Sequence, residues 1–247
     1  MKAAGKKVGI TGAAGNVGAT LRQGLSADYA LTLYDLRSPQ ALVEDEFVQV
    51  DCGDPQQLAG IFDGLDVLIH LAGDPSPDAA RQSTLRNNFR ATSYVFEEVK
   101  RAGVKKLIFA SSNFYHQGDI STALRGNSGP LITLDRNPTP QCLYGESKVF
   151  GENVGRHLSH LGIQFAALRI GWTVPQDNPA LYGGAYMRAV FCSHRDLVAA
   201  FSRALEIDQD FLVAFAVSNN GQPVFDLTET SRQLGFFPQD NAEDYFR

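Results

Sequence analysis

Only three cysteines occur in 247 residues, Cys52, Cys142 and Cys192, odd in number and far apart. That excludes a disulfide framework and a cysteine-held metal cluster, and free thiols suit a reducing, cytoplasmic setting. Positive charge is also scarce. There are 22 Lys and Arg against 27 Asp and Glu, a formal net charge of -5 with no basic block. Binding to the phosphates of nucleic acid is therefore not expected. No apolar run reaches membrane-spanning length, and Met1 to Lys7 lack the apolar stretch of a signal peptide. Neither a membrane nor a secretory route is expected. Of the five histidines only His157 and His160 lie close together, without a carboxylate partner pattern, and they read as a solvated helix face. No metal site is expected. Repeats and low-complexity linkers are missing too. What is left is a chain with 44% hydrophobic residues, long enough for one large α/β core or a core with a small lobe.

The strongest positive signal is the glycine spacing in Lys7-Val8-Gly9-Ile10-Thr11-Gly12-Ala13-Ala14-Gly15-Asn16-Val17-Gly18. An apolar strand-like run enters the glycines and a helical pattern leaves them. Gly12 permits the tight turn, Gly15 removes a Cβ where a pyrophosphate approaches, and Gly18 lets helix and strand pack closely. The pyrophosphate then meets free N–H groups at a helix N-terminus, with Asn16 and Val17 in its first turn. A second strand-like run, Ala30 to Tyr34, ends in Asp35, about where a dinucleotide site places the carboxylate that bonds the adenosine ribose. A glycine-rich βα turn without a ligand is the plain alternative.

Further strands are predicted at Val8–Thr11, Phe47–Val50, Val67–Leu71, Leu107–Ser111 and Phe165–Ile170, and helices near 17–26, 55–62, 80–102 and 144–161. Asp54-Pro55 reads as a helix cap followed by its first residue. Six βα units in series imply an α/β, doubly wound parallel sheet of Rossmann type. Two irregular segments, 113–143 and 172–190, follow strands and so belong on the substrate side of the cleft. The expected division is a dinucleotide-binding domain over 1–171 and a small, dependent, substrate-binding lobe over 172–247.

Chemistry enters at Tyr144-Gly145-Glu146-Ser147-Lys148, where Tyr and Lys sit one helical turn apart on one face. A free phenol titrates near about 10, so a base working near pH 8 needs roughly 2.7 kcal/mol of selective phenolate stabilisation. A nearby ammonium and a cationic nicotinamide can supply it. The strand end Phe109-Ala110-Ser111-Ser112-Asn113 offers hydroxyls to orient a substrate.

Together Thr11-Gly-x-x-Gly-x-x-Gly18, His70-Leu71-Ala72-Gly73, the Ser111-Ser112 strand end and Tyr144-x-x-x-Lys148 resemble the extended, epimerase-like branch of the short-chain dehydrogenase/reductase superfamily. Phe109–Asn113, Tyr144–Asn153, Leu168–Gly171, Ser193–Asp196 and Leu234–Asn241 are similar to uronate dehydrogenases and related NAD-dependent sugar dehydrogenases. The resemblance implies hydride transfer from the anomeric carbon of a uronate, aldose or hexose phosphate to NAD, giving a lactone. In that scheme Tyr144 is the general base, Lys148 holds the nicotinamide ribose and lowers the phenol, and Ser112 bonds the reacting oxygen. Asp35 and Leu36 would meet the adenosine ribose, with Asp35 favouring NAD, although Arg37 two residues on leaves NADP open. Asp51 and Cys52 would flank the adenine. Leu71, Ala72, Gly73, Asn88 and Ile170 would line the rest of the cofactor.

Asn113 and Phe114 would meet the sugar. Trp172 stands where uronate-oxidising relatives have a small hydroxyl residue; it is a stacking platform or core. Tyr186 stands where they have the carboxylate-binding Arg. Arg188 is either an anion binder or a surface arginine, and Ser76 either reaches the substrate or caps its loop. A nucleotide-sugar epimerase or dehydratase is the competing reading, disfavoured by the short C-terminal part. A non-catalytic NAD(P)-binding regulator is disfavoured by the intact Ser112, Tyr144 and Lys148. A homodimer or higher homo-oligomer is expected, through Tyr94, Val95, Val99, Val149, Phe150 and Leu158, unless these face the sheet.

Overall fold

The apolar runs pair as seven parallel strands in the computed structural model, which describes residues 5–39, 46–126 and 129–246. They are β1 (Lys7–Thr11), β2 (Ala30–Asp35), β3 (Glu46–Gln49), β4 (Val67–His70), β5 (Lys106–Ser112), β6 (Gln164–Ile170) and β7 (Phe211–Ala216). Their order is β3-β2-β1-β4-β5-β6-β7, so the chain winds outward from β1 in one direction and then returns to wind in the other. The order reverses between β1 and β4, where the carboxyl ends open a crevice. Register keeps those ends level: Thr11 lies opposite His70, and Ser112 opposite Ile170.

Side chains alternate through the sheet and both faces are covered, which explains the nearly continuous apolar strands. On one face Val8, Ile10, Leu31 and Leu33 meet Leu21 and Leu25 of α1 (Asn16–Leu25) and Leu197, Phe201 and Leu205 of α8 (His194–Glu206). The other face packs Leu68, Leu107 and Phe109 against α2 (Pro55–Leu58), α4 (Ala91–Ala102) and α6 (Leu143–Ser159). Rings of Phe96, Phe109, Phe165 and Phe211 stand at centroid spacings of 5.8 to 6.2 Å along this layer. α6 comes close to that row because a Cβ at Gly155 would lie 2.0 Å from the Phe165 ring.

Differences from the sequence reading have local causes. The predicted helix 80–102 is built of α3 (Arg81–Thr84), a π-helical stretch (Leu85–Arg90) and α4. The predicted 55–62 helix stops at Leu58, since Gly60 takes φ 84°. The irregular segment 113–143 contains a 3-10 turn (Asn113–His116) and α5 (Gln117–Leu124) anchored by the buried Ile120. After residue 171 the chain forms a 3-10 turn (Pro179–Leu181) and α7 (Gly184–Val190), then contributes α8, β7 and α9 (Thr228–Leu234) to the layered sheet. Smaller apolar clusters around Val190, Phe225, Val174 and Phe191 occupy the remainder of 172–246. Of the apolar residues considered for a subunit interface, Val95, Val99 and Leu158 are buried against the sheet.

Candidate active site

A cleft of about 600 Å³ crosses the carboxyl ends of the strands. At one end the chain leaves β1 through Gly12, whose φ of 72° suits glycine and whose Cβ would lie 2.7 Å from the Ala72 nitrogen. A Cβ at Gly18 would meet the Gly12 carbonyl at 2.4 Å. α1 starts at Gly15 in an extended conformation, without a side-chain cap or an acidic residue in its first turn. Gly15, Asn16, Val17 and Gly18 all line the cleft, so an anion can reach the helix N-terminus. The Asn16 side chain ties this end to the Thr173 carbonyl at 2.8 Å.

Asp35 closes β2 beside the glycine turn. Its carboxylate accepts from the Ala14 N–H at 2.9 Å and the Arg37 N–H at 3.1 Å, which fixes both oxygens on the cleft wall. Leu36 and Asp51 line the same end. Arg86 on the π-helical stretch donates to Asp51 and holds that carboxyl below its usual range. Cys52 lies beside it, with burial pushing its thiol up to about 12. It therefore acts as a small apolar wall and not as a nucleophile. Leu71, Ala72 and Gly73 follow β4, and Ile170 closes β6. This shape suits a dinucleotide: a ring slot, a fixed carboxylate for ribose hydroxyls and an open helix N-terminus.

The other end is built from β5 and α6. Ser112 ends β5, buried, with its oxygen accepting from the Phe114 N–H at 3.2 Å and donating to Asn113 Oδ1 at 3.1 Å. Tyr144 and Lys148 face it from α6, and all three line the cleft. The Lys148 ammonium donates to the Ala110 carbonyl at 2.8 Å and sits 5.2 Å from the Tyr144 ring centre. Burial pushes it down to about 8. Burial also pushes the Tyr144 phenol up, and a hydrogen bond with Ser112 opposes this. The ammonium points at the Ala110 carbonyl, and desolvation is the largest influence on the phenol.

Asn88, Asn113, Phe114, Ser76 and Arg188 are not on the cleft lining. Asn88 is buried on the π-helical stretch and grips the Asp74 backbone, accepting from its N–H at 2.8 Å and donating to its carbonyl at 3.0 Å. Its role is to hold the turn after Gly73. Asn113 donates to the Tyr186 hydroxyl at 2.9 Å. Phe114 packs edge-on against Tyr144, with centroids 5.4 Å apart. Ser76 is exposed and accepts from the Asp78 N–H at 3.2 Å, the loop-capping alternative. Arg188 is engaged by Glu243 and lies 3.7 Å over the Phe246 ring. Trp172 does line the cleft and is 42% exposed.

Other residues escaped sequence reasoning. Thr11 receives the Leu71 and Ala72 N–H groups on its hydroxyl and bonds His70 Nδ1 at 2.8 Å, so it sutures β1 to β4 across the crevice. Asp74 and Asn87 also line the cleft. Asp74 directly follows the His70-Leu71-Ala72-Gly73 run, the one signal that could have singled it out.

A family model described as the NAD dependent epimerase/dehydratase family matches residues 8–174. The chain is similar to an L-arabinose 1-dehydrogenase (NAD(P)(+)) of Haloferax volcanii, 33% identical over 250 residues, 96% of this chain and 97% of the relative. It is also similar to an NAD-dependent glucose-6-phosphate dehydrogenase of the same organism, 32% identical over 248 residues, 96% of this chain and 94% of that one. Among solved structures, a mutant uronate dehydrogenase from Agrobacterium tumefaciens complexed with NAD matches with a TM-score of 0.84 and 28% identity, over 98% of this chain and 88% of its own.

Proposed function

The chain belongs to the NAD-dependent epimerase/dehydratase family, and on that premise we propose that it is an NAD-dependent sugar dehydrogenase that oxidises the anomeric carbon of a cyclic sugar to a lactone. The observation that supports this most is the convergence of Ser112, Tyr144 and Lys148 on the same cleft as the glycine turn and Asp35. NAD, when bound, supplies the hydride acceptor at its nicotinamide ring. The α1 N-terminus would receive its pyrophosphate and Asp35 its adenosine ribose.

The protein's own groups manage the proton and the geometry. Ser112 donates to the reacting oxygen and fixes its position. Tyr144, as phenolate, takes the proton of the anomeric hydroxyl. Lys148, titrating near 8, holds a ribose hydroxyl and places positive charge near the phenol. Because burial alone raises the phenol, deprotonation draws on positive charge arriving in the cleft. A 2′-phosphate would meet the Asp35 carboxylate, so NAD is favoured over NADP. The relatives are named for arabinose, glucose 6-phosphate and uronate, so family membership leaves the sugar open.

The test is NADH formation, read by near-ultraviolet absorbance over a sugar panel, beside Tyr144→Phe. Turnover on at least one sugar is expected, falling about 10²–10⁴-fold in the variant. Full activity in Tyr144→Phe would remove the assigned base.

A further inference from the structure

We infer that the sugar held beside Tyr144 is uncharged, with a C–H face stacked on Trp172 and a ring oxygen or hydroxyl bonded to Tyr186. This rests on the dehydrogenase reading above and narrows it, setting aside uronates and sugar phosphates.

Uncommitted positive charge is placed away from the reacting end of the cleft. Among the described residues lining the cleft, only Arg37 and Lys148 are cationic. Arg37 follows β2, and β1 and β4 separate that strand from β5 and Ser112. Three strand spacings put it about 14 Å away. Lys148 is buried and engaged with the Ala110 carbonyl. The two arginines near the other strand ends are both committed. Arg169 of β6 is 3% exposed, with two nitrogens on the Glu152 carboxylate at 2.9 and 2.8 Å. Arg188 of α7 is paired with Glu243 and covered by Phe246. A carboxylate or phosphate delivered beside Ser112 would shed water with no uncommitted cationic side chain among the lining residues to pair with it. Asp74, a carboxylate on the lining, adds repulsion.

Aromatic side chains stand there instead. Trp172 lines the cleft and keeps 42% of its surface exposed. Its backbone is pinned on both sides: its N–H donates to the Val190 carbonyl at 2.7 Å, and its carbonyl accepts from Cys192 at 3.1 Å. Tyr182 and Tyr186 each brace the indole at 5.8 Å between ring centres. A rigid aromatic face with a negative quadrupole attracts the polarised C–H groups of a pyranose or furanose and repels anions. Tyr186 stands next to the lining, one residue removed from Ser112: Asn113 accepts from Ser112 at 3.1 Å and donates to the Tyr186 hydroxyl at 2.9 Å, which leaves the Tyr186 proton for a sugar oxygen.

The experiment compares kcat/KM with NAD for matched pairs: D-galactose and D-galacturonate, D-glucose and D-glucuronate, D-glucose and glucose 6-phosphate, with L-arabinose added. The neutral member should lead by at least about tenfold in every pair that reacts. A uronate or phosphate that leads overturns the inference and leaves the dehydrogenase reading standing. Silence from every sugar, with NAD binding intact, overturns both. Trp172→Ala should raise KM for the neutral sugar about threefold to tenfold, with the KM for NAD unchanged; an unchanged sugar KM removes the platform. Tyr186→Arg should raise kcat/KM for the uronate about tenfold relative to its neutral partner. A shift toward the neutral sugar instead contradicts the charge argument, and the wild-type panel decides the matter should this variant fail to fold.

Discussion

Replacing Glu152 by Gln removes one charge from a salt bridge that the fold encloses completely. Glu152 and Arg169 are 5% and 3% exposed, and the guanidinium meets the carboxylate through two parallel bonds at 2.9 and 2.8 Å. Ser111 adds a third bond to the same carboxylate, and Arg169 also donates to the Leu134 carbonyl at 3.1 Å and lies 3.6 Å over the Tyr115 ring. A Gln amide keeps the size but turns an N–H₂ toward one of the Arg169 donors and leaves the guanidinium charge uncompensated. His116, which receives an Arg169 N–H at 2.8 Å, stays neutral, since burial and then Arg169 itself push it down to about 4, and a neutral imidazole does not compensate the charge. Breaking a buried pair from one side costs about 3–5 kcal/mol. For a chain of this size that is a fall in melting temperature of roughly 6–20 °C. The assay is thermal unfolding followed by circular dichroism, with Glu152→Leu/Arg169→Met as companion. The double variant should recover most of the loss, because neither charge then needs solvating. A loss below about 1 kcal/mol in Glu152→Gln would refute the claim of an enclosed charge. A double variant as weak as the single one would show that shape, not charge, holds α6 to β6.

Three other outcomes are expected. Gly155→Ala places a methyl 2.0 Å from the Phe165 ring and should cost about 1–3 kcal/mol in urea unfolding, with an unaltered midpoint contradicting the close approach of α6. Burial holds Lys148 near 8 against about 10.4 in the unfolded chain, so between those values the unfolded state binds more protons and stability rises with pH. The wild type should therefore gain on Lys148→Met from pH 8 to 9.5, and parallel profiles would contradict the assigned burial. Asp35→Ala removes a charged acceptor worth about 1.5–3 kcal/mol, so the KM for NAD should rise about 10–100-fold while the value for NADP changes less. An unchanged NAD to NADP ratio would take Asp35 off the ribose.

The sheet was legible where periodicity and punctuation agreed. β1 and β2 flank the glycine turn and end at Thr11 and Asp35, and Asp54-Pro55 caps α2 through an Asp54 bond to the Gln56 N–H. β7 was missed, although Phe211-Leu212-Val213-Ala214-Phe215-Ala216 is as apolar as any other strand. A run of that length cannot be told from a short buried helix by its pattern, and only pairing along β6 decides it. The π-helical stretch is equally silent in sequence. It inserts one residue into a helical register, and its effect is to bring Asn88 onto the Asp74 backbone.

Within the cleft, legibility followed the range of the interaction. Gly12, Gly15 and Gly18 act through their own backbone, and Tyr144 and Lys148 through one helical turn, so neighbours in the chain announce them. Arg188 is the opposite case. Its sequence is compatible with an anion site, yet Glu243, 55 positions on, reaches it through the C-terminal 3-10 turn and Phe246 covers its face. The same contact that keeps Arg188 from a substrate docks Ala242–Tyr245 onto α7 and closes the apolar cluster of Val174, Met187 and Phe191. A cation held in this way serves the packing of α7 against the C-terminal turn, which no motif around position 188 announces.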